Sequence, residues 1–274
     1  MNSLKSFSVP VRLAVAYVGL ILLLALLAPW LAPYGFDLQD VGKTYAPPSA
    51  QHWFGTDALG RDLLSRLLYG SRVSMMIALV TASVSVLVGT VLGTIAGYAG
   101  GWIDKALMRF IDILYTLPSL IVLILVMLVF GRNMTGILIA MVATGWLGTA
   151  RLMRAQVASY KHRPFVEAAS ALGLSAPRIV LRHILPNCVA PLIVELSYQI
   201  PTNILAEAFL SFLGVGIPPP FPSWGILAEE GWRSLRIYPH LTIFPGILIF
   251  LTMLSFNVIG DALRDRLDPF LRGR

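Results

Sequence analysis

This sequence is short of charge. Asp, Glu, Lys and Arg make up 13% of its 274 residues, against 57% hydrophobic, where soluble domains carry about 25% charged and about 45–50% apolar residues. A water-soluble fold has no interior that could absorb so much apolar surface. Cysteine is nearly missing as well. The single Cys188 excludes an internal disulfide and a cysteine-based zinc site within the chain, and reads as a small apolar filler. Also missing are the phosphate-cradling Gly-x-x-x-x-Gly-Lys-Ser/Thr, the zinc-binding His-Glu-x-x-His and the Gly-x-Ser-x-Gly nucleophile elbow. His52 and His240 have no metal-ligand spacing and read as surface or interfacial histidines. The expectation is a chain with no catalytic, cofactor-binding or metal-binding residue of its own, and no enzyme activity.

Long apolar runs fill the sequence instead. A helix needs about 20 apolar residues to cross roughly 30 Å of hydrocarbon at about 1.5 Å per residue. Six stretches satisfy this, approximately Leu13–Leu31, Val73–Tyr98, Ile111–Phe130, Met134–Ala150, Val189–Phe212 and Leu241–Gly260. The first is longer than a secretory h-region of about 7–15 residues and meets Pro29 and Trp30 in place of a small-residue cleavage site, so it reads as a retained span. The fold class expected is an all-α integral membrane protein with six transmembrane helices. The division expected is 1–70, a first span and a polar loop with an interfacial helix, and 71–274, a five-span core.

The formal charge of +7 is a topology signal and not a nucleic-acid footprint, because Lys and Arg accumulate in cytoplasmic segments. With both termini inside, 14 of the 21 basic residues fall on the cytoplasmic side: Lys5, Arg12, Lys105, Arg109, Arg151, Arg154, Lys161, Arg163, Arg178, Arg182, Arg264, Arg266, Arg272 and Arg274. The chain is therefore expected to be a multi-pass membrane protein with cytoplasmic N- and C-termini.

Ser85, Gly89, Gly93 and Gly97 recur every four residues and predict close helix packing, within the chain or with a partner. Glu195 and Glu207 sit in the fifth span with Pro191 and Pro201. Carboxylates at membrane depth are candidates for a pathway or gate. Leu63, Leu64, Leu67 and Leu68 share one face of a helix expected to lie at the membrane surface, with Arg61, Ser65 and Arg66 on its polar side. Trp224 to Leu235 predicts a second such helix, with Trp224 and Trp232 at the headgroup level.

The segment from Glu167 to Asn187 reads as two short helices with a hinge. Glu167 to Leu172 is a good helix former, Gly173 suits a left-handed cap, Ser175 suits the next N-cap, Pro177 tolerates a first turn and Pro186 is expected to end the second helix.

These residues resemble the permease subunits of ABC importers that carry a Glu-Ala-Ala loop. Glu167, Ala168, Ala169, Gly173, Leu185 and Pro186 occupy the positions of that motif. His183 stands where the general pattern often has Ile, but the peptide-transporter branch commonly reads His-Ile-Leu-Pro-Asn, as here. Four further stretches are similar to the second, C-type subunit of the dipeptide/oligopeptide/nickel group: His52 to Asp62, Glu207 to Gly214, Pro222 to Gly225, and Asn257 to Asp265 with Leu267-Asp268-Pro269.

The resemblance implies the permease fold of type I importers, with a coupling loop at about 155–188. It implies a heterodimer with a homologous permease, two ATP-binding subunits that hold ATP and Mg, an extracytoplasmic solute-binding protein, and surrounding lipid. Glu167, Ala168, Ala169, Leu172, Gly173, Leu174, Leu185 and Pro186 would couple to the ATPase. Trp53, Asp57, Arg61 and Trp224 would meet the binding protein. Short peptides lead as solute, with nickel chelates, glutathione and glycosidic oligomers behind. The rivals from other classes are a proton-coupled secondary transporter, favoured only by the fifth span, and a membrane-embedded hydrolase, for which no motif is present.

Overall fold

The computed structural model describes Ser8–Leu267 of the 274 residues. Lys5, Arg272 and Arg274 of the charge pattern, and Asp268 and Pro269 of the C-terminal signature, lie outside the described residues. Among those described, the order is α1 (Val9–Leu31), α2 (Leu63–Ala99), α3 (Gly101–Thr116), α4 (Ser119–Phe130), α5 (Met134–Lys161), α6 (Pro164–Ala171), α7 (Ala176–Ile179), a π-turn at Val180–Ile184, α8 (Leu185–Phe212), α9 (Trp224–Trp232) and α10 (His240–Leu267). The chain is an all-α membrane protein. Five helical stretches are long and apolar enough to cross a bilayer, and the bent pair α3–α4 makes a sixth if it counts as one span.

The expected third span, Ile111–Phe130, is not one helix. α3 and α4 meet at 93°, because Pro118 forces Leu117 into extended backbone at φ −83°, ψ 132° and supplies no N–H to continue the ladder. The expected surface helix at Leu63–Leu68 is instead the first two turns of α2, which runs without a break for 37 residues. The boundary expected at residue 70 therefore falls inside α2. Pro186 does not end a helix either, since Ala176 to Phe212 is a continuous 37-residue helical stretch. The π-turn explains why: Leu185 N–H reaches back five residues to Val180 O, which widens the turn where the ring of Pro186 would otherwise meet the carbonyl of Arg182. One turn on, Pro191 leaves the carbonyl of Asn187 without its helical donor, and the Tyr160 hydroxyl donates to it at 3.3 Å.

Contacts sort the described residues into two compact units. One comprises the residues through Val80 with Met127–Leu138 and Ile200–Ile259. The other comprises Thr81–Val126, Ile139–Gln199 and the residues from Gly260.

In the first unit, α1 buries Val11, Ala14, Val18, Ile21, Ala25 and Ala28 along one stripe, and its Tyr17 hydroxyl meets Leu248 O and Thr252 Oγ1 of α10 at 3.4 and 3.3 Å. The opposite face, with Leu13, Leu20 and Leu26 exposed, is as apolar as the buried one, as expected where lipid is the solvent. Asp62 caps α2, accepting from the backbone N and the Oγ of Ser65 at 2.8 and 2.7 Å. His52 Nδ1 lies 3.0 Å from Asp62 Oδ1. His52 is thus buried beneath the loop and is not the surface histidine expected.

A four-charge cluster, buried except for the partly exposed Glu230, ties that loop to α9. Asp57 Oδ2 accepts from Arg61 Nε at 2.7 Å and from Arg66 Nη1 at 2.6 Å, and both guanidinium groups also reach Glu230. Two positive and two negative groups cancel, which is what allows them to leave water.

In the second unit, the small-residue stripe packs α2 on α5 within this chain. A Cβ on Gly89 would lie 2.7 Å from Trp146 O, one on Gly93 2.3 Å from Ala150 O, and one on Gly97 2.6 Å from Arg154 O. Without an apolar drive between helices in lipid, this backbone approach supplies the attraction.

Two outcomes follow for the solubilised protein. Gly93→Leu should lower stability by roughly 1–3 kcal/mol or prevent folding, whereas Gly246→Ala, with nothing within 4 Å of the added carbon, should leave the melting temperature near wild type. Glu230→Gln leaves two buried guanidinium groups facing one carboxylate and should cost about 2–3 kcal/mol, read as a lower melting temperature that rising salt does not restore.

Candidate functional site

The hinge expected near Gly173 forms in the second unit. α6 begins at Pro164, whose missing N–H costs nothing in a first turn, and ends in a paired cap. Gly173 N donates to Ser170 O at 3.0 Å, Leu174 N donates to Ala169 O at 3.2 Å, and Gly173 sits at φ +78°, where a β-branched residue does not fit. Ser175 holds the N-cap position of α7, but its side chain makes no capping bond.

α6 is two-faced. Val166 and Ala169 are buried with Met153, Val157, Ile179, Ile184 and Cys188, and Leu174 and Leu185 pack at the edge of that cluster. Cys188 is fully buried there, the apolar filler its sequence suggested. The outer face carries Glu167 and Ala168, both exposed, with Phe165 at 43% and Leu172 at 80% exposure, and Leu181 beyond the hinge is 66% exposed. Pro186 is exposed at the π-turn. The eight residues expected to couple thus divide: Ala169, Leu174 and Leu185 hold the hinge to its base, Gly173 shapes it, and Glu167, Ala168, Leu172 and Pro186 are presented outward.

Two contacts brace the base. Lys161 Nζ donates to Tyr98 O at 2.8 Å, and Arg154 makes a two-pronged pair with Asp104, at 2.8 Å from Nε and 2.5 Å from Nη2. Displacement of α6 therefore loads α5 directly and α2 and α3 through these side chains.

The two candidate carboxylates have different surroundings. Glu195 is half-buried on α8 and accepts from Thr149 Oγ1 of α5 at 3.3 Å. Glu207, expected as a pathway or gate residue, is 1% exposed. It accepts from Ser211 Oγ at 2.8 Å and from Ser74 Oγ at 3.3 Å, and also meets the Ser223 side chain. Ser74 Oγ in turn accepts from Trp224 N at 3.1 Å. Glu207 is a closed knot joining α2, α8 and the start of α9, with no face left for solute.

Of the residues expected to meet a binding protein, only Trp53 is exposed, at 67%. Asp57 and Arg61 are consumed by the four-charge cluster. Trp224 is fully buried, with Nε1 bonded to Ser71 Oγ at 3.2 Å, so it does not sit at a headgroup belt. Trp232 is exposed at 56%. Sequence reasoning passed over Glu230, although Glu229 and Glu230 are the sole acids between Gly214 and His240 and so the available counter-charges for Arg61 and Arg66. A cavity of 440 Å³ opens beside the cluster, bordered by Arg61, Arg66, Glu230, Arg132 and Arg233.

Known proteins match this arrangement along almost its whole length. Residues 89–273 match the family described as binding-protein-dependent transport system inner membrane component, and residues 12–48 match the N-terminal TM domain of oligopeptide transport permease C. The chain is 43% identical over 255 residues to the oligopeptide transport system permease protein of Bacillus subtilis (strain 168), covering 93% of this chain and 84% of that protein. It is 42% identical over 265 residues to the dipeptide transport system permease protein of the same strain, covering 95% and 83%. It is 40% identical over 264 residues to a glutathione transport system permease protein of Escherichia coli O6:K15:H31 (strain 536 / UPEC), covering 95% and 86%. With its apolar helices and its hinged, outward-facing α6, the chain belongs to the family of binding-protein-dependent transport system inner membrane components.

Proposed function

We propose that the chain is a permease subunit of an ATP-binding-cassette importer and forms half of the pathway for short peptides delivered by an extracytoplasmic binding protein. The observation that carries this reading is the outer face of α6. Phe165 stands exposed beside Glu167 on a helix of eight residues, with exposed Leu172 as its C-cap, and the other face of that helix is locked into a buried cluster. An apolar patch with a charged rim, held rigidly away from the rest of the chain, is what a moving partner can grip.

In this reading α6 faces the cytoplasm and docks in an ATP-binding subunit, which holds ATP and Mg. A second, homologous permease supplies the other half of the pathway, and two ATP-binding subunits complete the assembly. Both termini are cytoplasmic, as the Lys and Arg distribution favours. Trp53 is the exposed side chain offered to the binding protein. Closure of the ATPases shifts the spans between inward-open and outward-open populations, and the shift is bounded by how much more tightly the partners hold one state.

The short-peptide class is supported by the three relatives, whose names specify oligopeptide, dipeptide and glutathione transport. Peptides and glutathione share an α-amino group, a carboxylate and amide bonds. Nickel chelates rank below them.

The test is purification of the tagged chain from solubilised membranes, identification of what co-purifies, and assay of vanadate-sensitive ATPase and of peptide uptake in liposomes. A second permease with ATP-binding subunits and ATP-driven uptake is expected. A chain that emerges alone and moves solute on a proton gradient overturns the reading in favour of a secondary transporter.

Within the assembly, Leu172→Asp changes only an exposed side chain and should abolish ATPase co-purification without loss of folded protein. At Gly173 a Cβ meets nothing within 4 Å, so the backbone angle alone decides the outcome. Gly173→Val should uncouple hydrolysis from uptake, while Gly173→Asn, which tolerates φ > 0, should retain most activity. Equal behaviour of the two would count against the hinge.

A further inference from the structure

The second unit carries a set of polar side chains on its long apolar helices that the hinge does not use. Glu195 lies ten residues into α8 and Thr149 is on α5, each within a helix long and apolar enough to cross a bilayer. A carboxylate there is costly unless it faces water, solute or a compensating charge. The nearby cation is already engaged: Arg151 Nη2 is 2.5 Å from Asp112 Oδ1, and its guanidinium lies 4.1 Å from the centre of the Tyr115 ring. Among the described residues no Lys, Arg or His pairs with Glu195, whose bond is the 3.3 Å contact from Thr149 Oγ1.

The surroundings hold unused acceptors. The position of a Cβ on Gly148 is 3.5 Å from Tyr115 Oη and 3.8 Å from Glu195 Oε1, so this glycine leaves the two oxygens bordering one gap. One turn along α8, Gln199 Nε2 donates to Gly145 O at 2.5 Å. That carbonyl can only accept, which fixes the amide nitrogen and turns Oε1 away. Gln199 Oε1 is buried without a partner, and so is Ser85 Oγ. A Cβ on Gly145 would fall 2.5 Å from Ser85 Oγ and 3.5 Å from Gln199 Nε2, which places the two near each other. Residues four apart on a helix share a face, so the Glu195 carboxylate and the Gln199 carbonyl are neighbours.

We propose that Glu195, Gln199 and Tyr115 form a subsite in the solute pathway that takes the primary ammonium group of a passing peptide. An ammonium is donor-only, with three N–H bonds to place. The free atoms here are a carboxylate, an amide carbonyl and hydroxyl oxygens, and the net charge of the set is negative because Arg151 is neutralised by Asp112. A carboxylate terminus finds no free cation in this set, so the subsite orients the peptide by its amino end. The inference rests on the importer reading above and specifies what its pathway recognises.

The experiment uses the full co-purified complex with its binding protein in liposomes and follows ATP-driven uptake of labelled trialanine. Glu195→Gln keeps an oxygen that can accept from Thr149, so it preserves the helix contact and removes only charge. Thr149→Val removes the contact and preserves the charge. Expected is a loss of roughly tenfold or more in uptake for Glu195→Gln, partial recovery in Glu195→Asp, and a smaller effect of Thr149→Val, with subunit co-purification unchanged in all three. Wild-type uptake in Glu195→Gln, an equal loss in Thr149→Val, or loss of the second permease from the Glu195→Gln complex each overturns the subsite. A wild-type complex that fails to move trialanine with ATP overturns the importer reading instead.

Discussion

Lipid supplies no hydrogen-bond partner, so each polar group that enters the apolar part of this chain must find its partner inside the protein. The irregular features of the structure answer the same need for an internal partner, inside the spans and at their ends. Where Pro191 leaves a carbonyl bare, Tyr160 supplies the missing donor. Where Pro186 would break the helix, the π-turn at Val180–Ile184 moves the hydrogen bond one residue further back. Where two arginines enter the first unit, Asp57 and Glu230 neutralise them. Even Glu207 is enclosed by serine hydroxyls. The four-charge cluster and the Glu207 bonds fix α9 to the start of α2 and to the end of α8, because breaking either strands a buried charged or polar group.

The same constraint governs what was legible in the sequence. Apolar length located five of the six expected crossings as unbroken helices, since lipid penalises any other reading of a 20-residue run. The Gly89–Gly93–Gly97 stripe announced a close helix contact, and Gly173 announced a left-handed cap. Both are local requirements, met by a residue with no side chain. The errors came where local rules compete with tertiary contacts. Pro118 was visible but sits inside an otherwise unbroken apolar run, so its bend was hidden by hydropathy. Pro186 looked like a terminator because nothing in the sequence marks a π-turn.

Amphipathicity misled for a related reason. Leu63 to Leu68 has the pattern of a helix lying on a surface, with arginines on its wet side. In the structure the polar side faces Asp57 and Glu230, and the segment is the buried start of α2. A sequence pattern shows that two faces differ, and cannot say whether the polar face meets water or a counter-charge some 165 residues away. Trp224 follows the same logic: an indole N–H needs a partner, and Ser71 serves as well as a headgroup.

The hinge and the polar set near Glu195 share the second unit, and that has a mechanical consequence. α6 rests on Met153 and Val157 of α5, and Thr149, the donor to Glu195, lies one turn before Met153 on the same helix. Close packing makes such a helix respond as a rigid body and not by local bending, and α6 also rests on Ile184 and on Cys188 of α8, so a force on α6 reaches both helices that border the polar set. The Thr149–Glu195 bond is single and long, unlike the multiply bonded knot at Glu207. It is therefore the contact between α5 and α8 that yields with least loss when α6 is displaced, and its release frees one more acceptor oxygen on Glu195. In the reading proposed here, ATP-driven motion of the hinge would tighten the pathway's hold on an ammonium group where this bond opens and loosen it where the bond re-forms, linking energy input to solute capture and release.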